Sequence, residues 1–235
     1  MNSETVLTLD QVRFGYDPSK PIIDIDHLAI HRGESIFLRG PSGSGKSTLL
    51  GLIGGVLSPQ SGDIHLGDQS MTTLSPGRRD ALRVDHLGII FQQLNLLPYL
   101  SILANVTLPC EFSKRRRNQL TTDVKDEAKR LVESLGLPAS DLHRPVHDLS
   151  VGQQQRVAVA RALIGGPDLI IADEPTSALD HDNRDRFIEL LNQQRKQFGS
   201  SLLFVSHDTT LAKHFDRSLN LSELNESVLN EGVMA

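Results

Sequence analysis

The segment GPSGSGKS at residues 40–47 lies between the apolar run SIFL and a stretch with helical apolar spacing, KSTLLGLI. It limits the possible folds of this chain more than any other feature. A strand must enter the loop and a helix must leave it, which begins a βα unit and so a parallel sheet covered by helices. The glycines at 40, 43 and 45 permit backbone angles that a side chain forbids, so successive N–H groups can turn toward one anion. Lys46 adds a point charge suited to the β- and γ-phosphates of a nucleotide. Ser47 offers a hydroxyl to Mg²⁺, and the helix start contributes its dipole.

The remaining apolar segments extend this pattern. VLTLDQVRFGY and IIDIDHLAIHRGESIFLRG read as strands, the second ending at the glycine loop, and SPQSG at 58–62 stops the helix that follows the loop. HLGIIFQQ reads as another strand. It leads into LNLLPYLSILANVTLP, where Pro98 and Pro109 bound a helix of about three turns. VKDEAKRLVESLGL carries Val124, Ala128, Leu131, Val132 and Leu135 at helical intervals, closed by Gly136 and Pro138. VAVARALI is a helix ended by Gly165, Gly166 and Pro167. DLIIADE and SLLFVSHD are nearly continuous apolar strands of the buried parallel kind, joined by a crossover helix over 182–198. The expected organisation is one α/β domain. Residues 1–93 and 150–235 form a core with a parallel sheet and an N-terminal antiparallel β region, and residues 94–149 form an inserted α-helical lobe that includes the start of the segment LSVGQQQR.

Composition excludes some functions. With 24 Lys and Arg against 29 Asp and Glu the net charge is −5, which argues against nucleic-acid binding by bulk electrostatics. The basic run KRRR at 114–117 reads as a solvated helix face or loop. The single cysteine, Cys110, cannot form an intrachain disulfide; it fits a reducing compartment and a structural role. No apolar run approaches the ~18–20 residues that span a bilayer, and the N-terminus has no basic segment leading into an apolar core. A soluble, cytoplasmic chain is expected, with any membrane spans supplied by another polypeptide.

Several polar residues stand where ligands of α/β sheets bind, just beyond strand ends. LIIADE places Asp173 and Glu174 there. Asp173 can hold Mg²⁺ directly or through water, and Glu174 can act as the base that polarises an attacking water. His207, one crossover unit later, can hydrogen-bond a γ-phosphate and the catalytic carboxylate. Gln92, ending GIIFQ, has an amide suited to a metal-bound water. Tyr16, in a chain with only 4% aromatic residues, can stack on adenine or lie half-buried in a strand. Asp180, in SALD, can cap the next helix or reach across a dimer. In LSVGQQQR, Ser150 is a good helix N-cap, followed by Gly152 and Gln153.

With all of these in order, the chain resembles the nucleotide-binding subunit of ATP-binding cassette (ABC) transporters from Leu9 to about Leu221. The resemblance implies a P-loop NTPase (RecA-like) core that uses ATP and Mg²⁺. It makes residues Gly40, Pro41, Ser42, Gly43, Ser44, Gly45, Lys46, Ser47 and Thr48 the Walker A loop, Gln92 the Q-loop, LSVGQ the signature, LIIADE the Walker B strand, SALD the D-loop and His207 the switch histidine. Tyr16 matches the A-loop aromatic. Members of the family dimerise head to tail, so Ser150, Gly152 and Gln153 of one copy would face the γ-phosphate held by the other. One departure is Val151, where LSGGQ has glycine; valine disfavours positive φ, which puts the signature-dependent rate in question. FQQLNLLPYLSILANVTLP and the brief tail after His207 look like the LolD/MacB-type branch, which powers lipoprotein release and macrolide or peptide export.

The implied function is an ATP-hydrolysing motor that closes on two Mg·ATP at a homodimer interface. It would move integral-membrane permease partners on the cytoplasmic face of the inner membrane. A cell-division-type ATPase that gates a periplasmic enzyme without moving a solute has a similar cassette, and substrate-stimulated ATPase in liposomes would separate the two. A DNA-repair or translation ATPase would require long coiled coils or a second cassette, neither of which the sequence contains.

Overall fold

The computed structural model describes residues 5–177, 179 and 181–225, with only the backbone of 181–183. These residues form two compact units. One runs to Arg83 and resumes at Ser201, and the other is Val84–Ser200.

In the first unit, alternation of side chains makes an antiparallel sheet. Strand β1 (Thr5–Phe14) pairs with β2 (Ile23–His31) and with β4 (Ser61–Leu66), which pairs with the short β5 (Gln69–Ser70), in the order β2-β1-β4-β5. The buried apolar residues of β1 change parity, from Leu7 and Leu9 to Val12 and Phe14. A one-residue slip would normally turn the second pair toward solvent. Gln11, at φ 50°, absorbs the extra residue, and the register with β4 shifts between Asp10 and Arg13. Gly62 is required opposite, because a Cβ there would stand 2.1 Å from the Gln11 carbonyl oxygen.

Strand β3 (Ser35–Arg39), with Ile36, Phe37 and Leu38 fully buried, pairs in parallel with β8 (Ser201–Val205) and β9 (Arg217–Asn220). Phe37, Phe204 and Phe215 pack together with ring centroids 5.0–6.4 Å apart. Helix α1 (Lys46–Ile53) leaves the glycine loop and ends at Gly54, and α8 (Leu221–Leu224) closes the unit. The chain passes into the second unit along α2 (Pro76–His86), whose single buried residue, Leu82, gives no apolar stripe by which to anticipate it.

In the second unit β6 (Leu87–Ile90) and β7 (Leu169–Asp173) pair in parallel. Five helices accompany them: α3 (Ile102–Phe112), α4 (Lys114–Gln119), α5 (Val124–Ser134), α6 (Val151–Leu163) and α7 (His181–Phe198). Pro109 does not bound α3 but lies inside it. The lost backbone bond is tolerated because Ile102, Val106 and Cys110 are fully buried on that helix, and the Ser113 N–H still donates to the Pro109 carbonyl at 3.0 Å. Burial pushes the Cys110 thiol pKa up.

The basic run is a helix face solvated only in part: Lys114 and Arg117 are exposed, but Arg116 is enclosed. Arg116 is only 1% exposed, and its guanidinium donates to the carbonyls of Ala162 (3.3 Å), Ile164 (3.1 Å) and Leu87. Burial pushes its pKa down to about 10, so it keeps its charge at neutral pH and needs those carbonyls. Gly165, at φ 71°, makes room for it, since a Cβ there would stand 2.5 Å from the Arg116 Cβ. Arg117 donates to the Cys110 carbonyl at 2.7 Å.

Candidate active site

In the first unit the register of two parallel strands brings the glycine loop and His207 to the same edge. Leu38 of β3 pairs with Val205 of β8, and Gly40 and His207 each follow two residues later. Ser206 is buried, and its N–H donates to the Leu38 carbonyl at 3.2 Å. Asp208 accepts from the Thr210 N–H (3.1 Å) and hydroxyl (2.6 Å). The backbone is thus pinned on both sides of His207, whose side chain is exposed.

The loop has the backbone form of an anion cradle. Gly43 and Gly45 have φ of 82° and 94°. Gly40 has no positive φ; it is glycine for space, because a Cβ would stand 2.5 Å from the Ser44 Oγ. That buried hydroxyl has no hydrogen-bond partner. Gly45 is the N-cap of α1 and supplies no side-chain cap, which leaves the amide end of the helix to an incoming anion. A Cβ on Gly43 would meet nothing within 4 Å, so the space above the loop is open. Lys46 Nζ folds back to the carbonyls of Gly40 (2.6 Å) and Pro41 (3.0 Å). Pro41, Ser42 and Ser47 are exposed, and Thr48 is buried under the loop. An unpartnered buried hydroxyl, an uncapped helix and a tethered ammonium fit a bound phosphate chain.

Tyr16 lies in the loop leaving β1 rather than within a strand. Its ring is 72% exposed and stands edge-on to Phe14, centroids 5.2 Å apart at 82°. The neighbouring backbone is fixed by Gln60, whose Nε2 donates to the Gly15 carbonyl at 2.9 Å.

The second unit repeats the strand-end arrangement with acids. Ile90 of β6 pairs with Ala172 of β7, so Gln92, Asp173 and Glu174 emerge together at the carboxyl ends of adjacent parallel strands. Gln92 is exposed, at the centre of a turn closed by the Leu94 N–H donating to the Phe91 carbonyl at 2.9 Å. Glu174 has φ 46°, a left-handed conformation that costs an L-residue about 1 kcal/mol and recurs at functional sites. Asp180 lies outside the described residues.

Helix α6 begins as expected. Ser150 is its N-cap, with Oγ accepting from the Gln153 N–H at 3.3 Å while Gln153 Oε1 accepts from the Ser150 N–H at 3.0 Å, a reciprocal capping box. Val151 is the first helical residue, 54% exposed and without positive φ, so its replacement of glycine imposes no backbone strain. Gly152 is also without positive φ, and a Cβ on it would meet nothing within 4 Å. With Ser134, Gly136, Arg156 and Phe187 it lines an open cleft of about 580 Å³. The fold of this chain therefore does not itself demand glycine at 152.

One residue beside the acidic turn has no sequence signature of its own. Gln155 is 4% exposed, and its Nε2 donates to the Pro175 carbonyl, directly after Glu174, at 3.0 Å. Gln154 instead donates to the carbonyls of Val146 and Leu149, both at 3.1 Å. Adjacent glutamines look alike in sequence, and only burial separates the one beside the acidic turn.

Parallel strands that deliver a glycine loop, a pair of acids and a histidine to their carboxyl ends define a P-loop NTPase fold. The family is shown by comparison with known proteins. A family model described as ABC transporter matches residues 23–177, and the chain belongs to that family. YbbA of Escherichia coli strain K12, an uncharacterized ABC transporter ATP-binding protein, is 42% identical over 194 residues, 83% of each chain. Among solved structures, the ATP-binding cassette MJ0796, a dimer in a post-hydrolysis state bound to ADP and Pi, is similar with a TM-score of 0.78 at 31% identity, covering 94% of this chain and 95% of that one. CbiO1 of Clostridium perfringens, part of the transporter complex cbiONQ, has a TM-score of 0.80 at 24% identity, covering 98% and 95%, and bears on the fold alone.

Proposed function

We propose that the chain is the ATP-hydrolysing motor of a membrane transporter, working as a head-to-tail homodimer with two Mg·ATP at its interface. The observation that carries this reading is the glycine loop, with its buried unpartnered Ser44 hydroxyl, uncapped α1 terminus and neighbouring His207. In this assignment residues 40–48 hold the phosphates and Tyr16 stacks on the adenine. Ser47, Gln92 and Asp173 would hold Mg²⁺, which neutralises phosphate charge when bound. Glu174 takes the proton of the attacking water and His207 donates to the γ-phosphate. Ser150, Gly152 and Gln153 contact the nucleotide of the second copy, and Asp180 is assigned to that interface from the sequence SALD alone. The open space at Gly152 supports an approach from outside the chain, and the dimeric state of MJ0796 supports self-association.

Partners supply the membrane spans, since no helix among the described residues is long and apolar enough to cross a bilayer. The segment Gln92–Leu108 is where an integral-membrane permease would dock, on the cytoplasmic face of the membrane. The sequence of that segment supports the LolD/MacB-type branch, with lipoprotein release or macrolide and peptide export as its task. Purified Glu174→Gln tests the assignment. Loss of a general base lowers turnover by about 10²–10⁴ and should trap an ATP-bound dimer on gel filtration. Unchanged turnover would remove Glu174 from the mechanism.

A further inference from the structure

Leu94 and Asn95 are consecutive non-glycine residues at φ 57° and 47°, a conformation that L-residues avoid because Cβ crowds the following carbonyl. Asparagine tolerates that angle, but Leu94 is a buried leucine, so something else must hold the pair together. Arg161 does so from helix α6: its two terminal nitrogens donate separately to the Leu94 and Asn95 carbonyls, each at 2.6 Å. The guanidinium is 9% exposed, and the cost of burying its charge is offset through these carbonyls.

The two carbonyls belong to the turn that carries Gln92. Leu94 closes that turn through its bond to the Phe91 carbonyl, and the Asn95 N–H donates to the Gln93 carbonyl at 2.6 Å. Asn105 fixes the next stretch, with Nδ2 donating to the carbonyls of Leu97 (3.0 Å), Leu100 (3.3 Å) and Ser101 (3.1 Å) and Oδ1 accepting from the Leu97 N–H (2.8 Å). Arg161 is thus the clamp nearest Gln92, and it comes from the helix that begins at Ser150.

We propose that Arg161 is a positioning residue for Gln92: its two-pronged hold on Leu94 and Asn95 sets where the Gln92 amide is presented, so that helix α6 and the Gln92 turn move as one. The inference rests on the reading that Gln92 serves ATP hydrolysis. The planar fork reaches the two carbonyls from two nitrogens at a fixed spacing, a geometry that the single nitrogen of a lysine ammonium does not reproduce.

A double-mutant cycle tests it, with turnover at saturating Mg·ATP and equilibrium binding of a fluorescent ATP analogue measured on the whole chain. Arg161→Lys should lower kcat by about 10- to 100-fold with nucleotide affinity held within about twofold. In a Gln92→Ala background the same change should add almost nothing. Asn95→Pro, on an exposed side chain, denies the left-handed angle from the other side and leaves α6 intact. It should reproduce the Arg161→Lys kinetics, and it decides the matter if Arg161→Lys does not fold. Wild-type kcat in Asn95→Pro, or additive losses in the cycle, would overturn the proposal. Absence of turnover in the unaltered chain, or no effect of Gln92→Ala, would instead reject the underlying assignment.

Discussion

Arg115 and Asp168 form a half-buried ion pair, with one guanidinium nitrogen 3.1 and 3.0 Å from the two carboxylate oxygens and His86 Nδ1 on the same carboxylate. The contact joins α4 and the end of α2 to the residue immediately before β7. Removing Asp168 strands a cation whose side chain is 29% exposed. Asp168→Ala should therefore destabilise the fold by roughly 1–3 kcal/mol. Calorimetry should show a fall in Tm of about 2–4 °C for each kcal/mol. An unchanged Tm would mean that the pair is no more than a solvated contact.

Gln155 reaches the Pro175 carbonyl, next to the strained Glu174. Gln155→Leu keeps the volume but leaves that carbonyl without its donor. Turnover should fall about tenfold, with nucleotide affinity unchanged, because the angle of the proposed general base is altered rather than the glycine loop. Parallel losses of affinity and rate would count against this assignment.

Val151 stands in helical conformation at an exposed position, so Val151→Gly should change turnover by less than about threefold and leave ATP binding intact. Ser150→Ala is the contrasting change, since it removes the capping oxygen and should cost about 1 kcal/mol in thermal unfolding. A large loss of nucleotide affinity in Val151→Gly would show that the signature has been misread.

Cys110 holds its proton more tightly when folded, because burial disfavours the thiolate. Below the ordinary thiol pKa both folded and unfolded chains are protonated, and the full contribution to stability is present. As pH rises through that value the unfolded chain ionises first, so stability declines. The stability difference between wild type and Cys110→Ala should accordingly shrink between about pH 8 and pH 10 in urea titrations. Iodoacetamide should label Cys110 slowly in buffer and rapidly in denaturant.

The strands β3, β7 and β8, the helices α5, α6 and α7, and the placement of Gln92, Glu174 and His207 just past a strand were legible because each depends on contiguous residues: an apolar run, a glycine pattern, a polar residue just past it. Helix α2 was not, since Leu82 is its only buried residue and the rest of it is largely polar. Pro109 was read as a helix boundary on local cost, which the buried face of α3 outweighs. A charge run such as KRRR predicts a solvated face, which holds for Lys114 and Arg117, yet Arg116 is enclosed by carbonyls from residues 87, 162 and 164.

The glycine loop between strand and helix, and the family, followed from sequence alone, because local periodicity and loop chemistry are written in neighbouring residues. Tertiary structure decided what each polar residue is for. Gln153 caps its own helix, Gln154 ties the segment before it, and Gln155 braces the acidic turn, although the three are identical neighbours. Arg161 and Arg116 were likewise ordinary helix residues until folding removed their water. A buried donor must find an acceptor, and that acceptor is supplied by chain distant in sequence, where no local pattern can announce it.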